Sequence, residues 1–233
     1  EQTGDKFPQN AFEAIMQAFG MQQRARVRAV SPHFAADIIL TVGLACGYRG
    51  WCEYLRGRLR TAEHYFKVCI QILRNTGEQR AYALFLRHYA SLLHAIGEGA
   101  KARDMTALCL AAAEPTRQFD IAHLAAINKA DHDLESGEPV DRVLILRRLL
   151  STLRYADLTD MYRVRMEAQR VLARMRLQDG DYDGALEQAT GAMSVATRFG
   201  FTLRKIDLRI LIGQILRRRG DPVSGDAMFE EAG

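Results

Sequence analysis

Side chains able to perform catalysis are present in this sequence, but none stands at a spacing that catalysis requires. Gly97 to Lys101 combines glycines with a lysine, yet it lacks the spacing of a phosphate-binding loop, G-x-x-x-x-G-K-[ST]. His88 and His94 are separated by six residues, which places them about 600° apart around a helix and off a common face. Acidic pairs such as Asp131 and Asp133 fit helix ends and solvated helix faces better than acid–base catalysis. We therefore expect no enzymatic activity, no metal site and no cofactor.

Arginine supplies most of the positive charge and forms two short clusters. Arg24, Arg26 and Arg28 alternate with other residues, and Arg217 to Arg219 are consecutive. Clustered arginines contact nucleic-acid phosphates in some proteins, whereas arginines near a helix C-terminus also complement the helix dipole. The 32 basic and 28 acidic residues leave a net charge of +4. This balance favours a protein or peptide partner over nucleic acid.

The composition indicates a globular, helical chain. Its 233 residues are 48% hydrophobic and 26% charged, and five are proline. The longest apolar run, Phe34 to Cys46, contains Asp37 and is shorter than the roughly 20 residues of a membrane span. The four cysteines are Cys46, Cys52, Cys69 and Cys109. They lie in apolar stretches without a C-x-x-C pair, so we expect buried free thiols, a cytoplasmic location and no membrane contact.

Glycines recur at a nearly constant spacing along the chain. They are Gly57, Gly97, Gly137, Gly180 and Gly220, at separations of 40, 40, 43 and 40 residues. Seven residues before each glycine stands a small residue, in order Gly50, Ala90, Ala130, Ala173 and Gly213. Small residues allow two helices to approach closely, and a glycine in the left-handed conformation ends a helix. The period therefore predicts a stack of helical hairpins.

The residues after each glycine extend the repeat. Leu59, Ala62, Phe66 and Cys69 follow Gly57 by two, five, nine and twelve residues. The Gly137 repeat keeps only Leu146 and Leu149 of this pattern. At these residues the sequence resembles the tetratricopeptide repeat (TPR) family over roughly residues 39–233, with a period longer than the family's usual one of about 34 residues.

The resemblance implies an all-α fold, a TPR-like right-handed superhelix of about five helical hairpins. Arrays of this kind also resemble the sensor regions of bacterial STAND-type signalling NTPases and of large LuxR-type activators. That resemblance implies a nucleotide-binding module upstream of the repeats.

The predicted organisation is an N-terminal helical extension or linker over residues 1–30 and a TPR-like repeat domain over residues 31–233. Ser31 and Pro32 fit the N-cap and first position of the first repeat helix. Asp181 and Asp221 follow their repeat glycines and are predicted to cap the second helices. The helical pattern breaks off at the last residues, so we expect a repeat domain truncated at its C-terminal end.

In a helical-hairpin solenoid, the first helix of each pair lines the concave groove. Counting from the small residues gives nine candidate ligand-binding side chains. They are Trp51, Tyr54, Arg87, His94, Asp131, Arg170, Arg174, Gln214 and Arg217. Aromatic side chains are typical anchors for a protein partner, and arginines bind carboxylates or phosphates with two hydrogen bonds. Packing of Trp51 and Tyr54 against the preceding N-terminal helices is an equally consistent interpretation.

These features predict a non-catalytic domain that binds a protein or peptide ligand in its groove. We expect it to be the ligand-sensing or regulatory part of a larger bacterial signalling protein, coupled to an upstream effector or NTPase module of the same chain. A constitutive protein scaffold is one alternative. Binding of RNA or a nucleotide signal by the groove arginines is another.

Overall fold

The computed structural model describes residues 32–136 and 139–232, and the regular secondary structure in both stretches is α-helical. The predicted all-α fold is therefore confirmed. The chain forms two compact units, residues 1–121 (unit 1) and 122–233 (unit 2). The predicted extension over residues 1–30 and the predicted cap at Ser31 lie outside the described residues. Within the described ranges, no helix combines the length and apolar character needed to cross a membrane.

Unit 1 contains two helical hairpins in its described part. They are formed by α1 (Pro32–Leu55), α2 (Leu59–Thr76), α3 (Gln79–Ala95) and α4 (Gly99–Ala113). The core between these helices includes the fully buried side chains of Phe66, Leu73 and Phe85. Gly47 and Gly50 of α1 leave space for the rings of Phe85 and Phe66. A Cβ atom at Gly47 would lie 2.5 Å from the Phe85 ring, and one at Gly50 would lie 3.1 Å from the Phe66 ring.

Unit 2 contains three further hairpins, and its first helix begins in the last residues of unit 1. The helices are α5 (Phe119–Glu135), α6 (Arg142–Leu158), α7 (Tyr162–Asp179), α8 (Tyr182–Arg198), α9 (Thr202–Arg219) and α10 (Pro222–Glu230). The core includes Ile127, Leu149 and Leu172, and a second cluster lies around Ile215. The described residues thus contain the five hairpins that the glycine period predicted.

The second helices α2, α4, α6 and α8 each bury four residues with the same spacing, i, i+4, i+7 and i+11. The four sets are Ala62, Phe66, Cys69 and Leu73; Ala102, Thr106, Cys109 and Ala113; Ile145, Leu149, Thr152 and Ala156; and Ala185, Ala189, Ala192 and Ala196. This spacing places each set on one face of its helix. Each of these second helices therefore buries the same narrow stripe, and half-buried side chains such as Ile72 of α2 and Leu153 of α6 pack beside it.

The repeat register after Gly137 differs from the prediction. Helix α6 begins five residues after this glycine, whereas α8 begins two residues after Gly180. Leu146 follows Gly137 by nine residues, as Phe66 follows Gly57, so the sequence predicted that Leu146 corresponds to Phe66. In the structure the buried residue that corresponds to Phe66 is Leu149, and Leu146 is half-buried. The three extra residues of the 43-residue period therefore precede α6, and the packing stripe is kept.

Glycine in the left-handed conformation ends the first helices, as predicted. Gly180 has a φ of 80°, and the next backbone N–H, that of Asp181, donates to the carbonyl of Arg176 at 3.0 Å. Gly57, Gly97 and Gly220 also have positive φ, and Gly137 lies outside the described residues. The carboxylates of Asp181 and Asp221 accept hydrogen bonds from backbone N–H groups three residues on, which confirms both predicted caps.

All four cysteines are free thiols, and three of them are buried. Burial raises the pKa of Cys46 to about 11 and that of Cys109 to about 12. It also raises the pKa of Cys69. Cys52 is exposed, so the prediction of a buried thiol is wrong at this residue. The cause is its place on α1, where the neighbouring Glu53 takes the buried side of the helix.

The close contact between α9 and α10 supplies a stability test. A Cβ atom at Gly213 would lie 2.9 Å from the carbonyl oxygen of Gly225 and 2.9 Å from the Phe229 ring. Gly213→Ala is expected to lower the free energy of unfolding by roughly 1–3 kcal/mol because α10 must move away. Urea denaturation measures this loss. Gly99→Ala, which meets no atom within 4 Å, is the matched control and should not destabilise the protein; equal losses would contradict the predicted contact.

Candidate functional site

A network of charged side chains joins the first helices of unit 2, and Arg170 of α7 lies at its centre. The Nη2 atom of Arg170 donates to Oδ2 of Asp131 on α5 at 2.6 Å, and its Nε atom donates to Oε2 of Glu167 at 3.0 Å. Arg170 and Asp131 are each 8% exposed, and Glu167 is 5% exposed. A buried charge requires compensation by partners and hydrogen bonds, and within this triad Arg170 supplies it to both carboxylates while they supply it to Arg170.

The network continues outward on both sides of this triad. Arg174 donates from Nη1 to Oδ1 of Asp131 at 2.8 Å and also contacts the carboxylate of Glu135. On the other side, Arg204 of α9 donates from Nε to Oε1 of Glu167 at 2.7 Å and from Nη1 to Oδ2 of Asp207 at 2.7 Å. The arginine side chains become more exposed from Arg170 to Arg174 and Arg204. The network therefore runs from a buried centre to accessible ends.

Helical periodicity explains why these side chains meet. Asp131 and Glu135 are four residues apart on α5, and so are Arg170 and Arg174 on α7, so each pair lies on one face. The two faces are turned towards each other, and Gln178, one turn further along α7, donates to the carbonyl of Leu134 on α5 at 3.2 Å. The first helices of two successive repeats are thus joined over more than one turn.

The charges of the triad control its protonation. Burial alone would raise the pKa of Asp131, but the guanidinium groups of Arg170 and Arg174 outweigh burial and hold this pKa below its ordinary value. The same balance lowers the pKa of Glu167, through Arg204 and Arg170. Burial alone would lower the pKa of Arg170, but the charges of Asp131 and Glu167 outweigh burial and raise this pKa above its ordinary value. All members of the triad are therefore charged at neutral pH.

The aromatic candidates lie in unit 1. The Trp51 ring of α1 is half-buried and packs against the ring of His88 on α3, with centroids 4.1 Å apart. Tyr54, also half-buried, lies with its ring centroid 5.5 Å from that of Trp51. Trp51 thus packs partly against the core and keeps an accessible part. Contacts with the preceding N-terminal helices, the alternative interpretation of these rings, fall outside the described residues.

Arg87 and His94 of α3 were both expected on an open face, and the structure places them differently. Arg87 is 6% exposed, and its Nη2 atom lies 3.1 Å from Nε2 of His88. His94 is half-buried in the last turn of the same helix. Arg87, like Asp131 and Arg170, was expected on an open face and is buried in the structure. Helix periodicity gives the face on which a residue lies, but not the neighbour that covers that face.

The two candidates on α9 do not join the network of α7. Gln214 is exposed. Arg217 faces the second helix α10, where its Nε atom donates to Oδ1 of Asp226 at 2.6 Å and its guanidinium carbon lies 5.0 Å from the centre of the Phe229 ring. Arg217 therefore differs from the expectation of an open groove position, because Gly225 leaves space for its side chain on the side of α10.

Sequence reasoning missed Glu167, Arg204 and a second buried acid, Glu53. Glu167 stands one turn before Arg170 on the same helix, and this i, i+3 spacing of an acid and an arginine was a usable signal for an ion pair. Glu53 of α1 is fully buried with Arg49 at 2.9 Å, and Arg58 lies 3.5 Å away. No arrangement of histidine, cysteine and acidic side chains suited to a metal ion occurs in the part of the chain that the structure describes.

The successive helical hairpins, with left-handed glycines after α1, α3, α7 and α9 and a stripe of four buried residues on α2, α4, α6 and α8, define a TPR-like helical-repeat fold. No protein-family model matches the sequence, and no curated protein matches it.

Two of the solved structures with the same fold are Rap proteins. One is a Rap protein complexed with Competence and Sporulation Factor, with a TM-score of 0.70 and 15% sequence identity over 100% of this chain. The other is the apo form of RapI, with a TM-score of 0.61 and 11% identity over 96% of this chain. The chain spans 66% and 58% of these two proteins' own lengths. At these identities the likeness establishes the fold.

The buried triad predicts a strong dependence of stability on Asp131. Asp131→Asn removes one of the two carboxylates that compensate Arg170 and is expected to lower the free energy of unfolding by about 3–5 kcal/mol, as measured by urea denaturation. Asp133→Asn on the same helix, whose partner is the half-buried Lys129, is the control and should cost less than about 1 kcal/mol.

The pH dependence of this effect has a definite sign. The folded-state pKa of Asp131 lies below its ordinary value of 3.8, so its stabilising charge is present above that value. It is lost as the pH falls through the lower, folded-state pKa. The difference between the wild type and Asp131→Asn should therefore shrink in acid. A difference that is constant down to acid pH would show that the charge of Asp131 is not its cause.

Proposed function

We propose that this chain is a non-catalytic, ligand-binding helical-repeat domain that recognises a peptide on the first helices of its repeats. The observation that carries the proposal is the likeness of fold, over the whole chain, to a Rap protein complexed with Competence and Sporulation Factor. Helical repeats offer long surfaces of parallel first helices to a ligand, which suits an extended peptide.

In the charged network of unit 2, Arg170 and Arg174 lie on adjacent turns of α7 and have different roles. Arg170 is buried between two carboxylates and holds the helices together. Arg174 lies one turn further along with a side chain 28% exposed, and its outer partner, Glu135, has a side chain 37% exposed. A ligand carboxylate can replace Glu135 at Arg174 while Arg170 keeps Asp131 neutralised. Binding at Arg174 therefore leaves the buried triad intact.

Trp51 and Tyr54 are the corresponding binding side chains proposed for unit 1. Their rings are held by the contact of Trp51 with His88 and are half-exposed, which is the arrangement of an aromatic anchor for an apolar side chain. His94 and Gln214 are proposed as further polar contacts on α3 and α9.

A role in signalling requires that the ligand binds two conformations with different affinity. Exchange of partners at Arg174 changes the contact between α5 and α7, and so supplies such a difference. We place this domain in a larger signalling protein, with an effector or nucleotide-binding module of the STAND type upstream and a cytoplasmic location that agrees with four free thiols. A P-loop sequence upstream in the parent gene would support this arrangement over a constitutive scaffold.

Nucleic acid is the less favoured ligand. Arg170, Arg174, Arg204 and Arg217 each contact at least one carboxylate. A phosphate backbone would have to displace these acids at several arginines together, against the charge of the acids themselves.

Selection from a random-peptide library displayed on phage tests the proposal. Peptides selected on the wild type are expected to bind Arg174→Ala roughly tenfold or more weakly in fluorescence anisotropy, because a charged hydrogen bond is lost. Arg176→Ala is the matched control, since Arg176 lies on the same helix, has a similar exposure and pairs with Asp181 next to α8. If the selected peptides bind Arg174→Ala and Trp51→Ala with the same affinity as the wild type, binding on the first helices is refuted.

A further inference from the structure

The outward face of α6 is apolar to a degree that its neighbours are not. Val143, Leu144, Leu150 and Leu158 of this helix are exposed by 69, 39, 49 and 77%. They stand apart from the stripe of Ile145 to Ala156 that packs α6 into unit 2. Exposed large aliphatic side chains concentrated on one helix indicate an interaction surface rather than scattered surface residues.

The same face is strongly basic. Arg147 and Arg154 are exposed, and no carboxylate of the described residues lies within 4.0 Å of them. The nearby acids are engaged elsewhere, because Asp141 caps the helix and Asp157 pairs with Arg165 at 3.3 Å. The exposed face of α6 therefore carries uncompensated positive charge beside its aliphatic side chains.

The fold does not require aliphatic and basic residues on this face of α6. Helix α8 has the same buried stripe 40 residues later, so its surface positions correspond to those of α6. The residues of α8 that correspond to Val143, Arg147, Leu150, Arg154 and Leu158 are Asp183, Glu187, Thr190, Ser194 and Arg198. The equivalent second helix is thus polar at these five positions, although its buried stripe has the same spacing as that of α6.

The spacing on α6 matches a second helix lying alongside it. Val143 and Leu150 are seven residues apart, and so are Arg147 and Arg154. A seven-residue spacing keeps aliphatic and charged side chains facing the same partner helix over successive turns, with the charged residues flanking an apolar seam. Arginine also matches the planar geometry of a carboxylate better than it matches an undefined negative surface.

We infer that the outward face of α6 is a docking site for an acidic amphipathic helix of a partner protein. The partner's aliphatic side chains pack on Val143, Leu150 and Leu158, and its flanking glutamates or aspartates pair with Arg147 and Arg154. The site uses a second helix, and it goes beyond the peptide surface proposed on the first helices. It gives the domain a second partner with a different chemistry.

A designed helical peptide tests this inference directly. It carries leucine at the a and d positions and glutamate at the e and g positions of each heptad, with a fluorescent label for anisotropy. The full chain is expected to bind it with an affinity that falls as salt is raised. A peptide with lysine in place of every glutamate should not bind.

Two double variants identify the face. Arg147→Glu with Arg154→Glu is expected to weaken binding of the glutamate peptide about tenfold or more, because attraction becomes repulsion. Leu150→Ser with Leu158→Ser should weaken it through the apolar seam and provides an independent test if the charge variant folds poorly. Arg60→Glu with Arg74→Glu on α2, both exposed, is the matched control and should leave binding unchanged.

Three results would overturn the inference. The first is equal binding of the glutamate and lysine peptides, or binding that neither α6 variant alters. The second is sedimentation of the wild type with phosphatidylserine vesicles without binding of the glutamate peptide, which would assign the face to a lipid surface. The third is self-association in analytical ultracentrifugation that the α6 variants abolish, which would assign it to a second copy of the chain.

Discussion

The packing stripe of the second helices is the constraint on which the rest of the structure depends. In α8 all four of its residues are alanines, from Ala185 to Ala196, so the fully buried side chains of this helix are methyl groups. The first helices α7 and α9 therefore come close enough for Arg204 to reach Glu167 at 2.7 Å. Longer side chains in the stripe would hold these helices apart and leave the buried acid without one of its partners.

Buried charge then fixes how successive repeats align. An ion pair in a medium of low polarity is tolerated only where its partners are correctly placed, so Arg170 allows few arrangements of α5 against α7. Unit 1 compensates the charge of its own buried acid differently, because Glu53 forms ion pairs with Arg49 on the same helix and with Arg58 in the following turn. Charge compensation is local to one hairpin in unit 1 and joins neighbouring repeats in unit 2.

Much of the fold was predictable because glycine and alanine act through the backbone. A glycine such as Gly180 at a fixed period marks a helix end in any surroundings, and Asp181 caps the next helix by contacts within one turn. Side-chain environments were less predictable, because they depend on the neighbour that covers a face. Counting along the chain placed Arg170 in a groove and gave no sign that Glu167 would enclose it. It also misplaced Leu146, because extra residues before α6 shift the helix without altering its packing.

The uneven burial of the four cysteines makes the chain selectively reactive towards thiol reagents. The nucleophile is the thiolate, and burial disfavours that form at Cys46, Cys69 and Cys109. Cys52 is the exposed cysteine, and it directly follows the sole tryptophan of the sequence. A maleimide dye would therefore attach beside Trp51 in the unaltered protein, and its energy transfer from that indole would report events at the aromatic surface without any engineered residue.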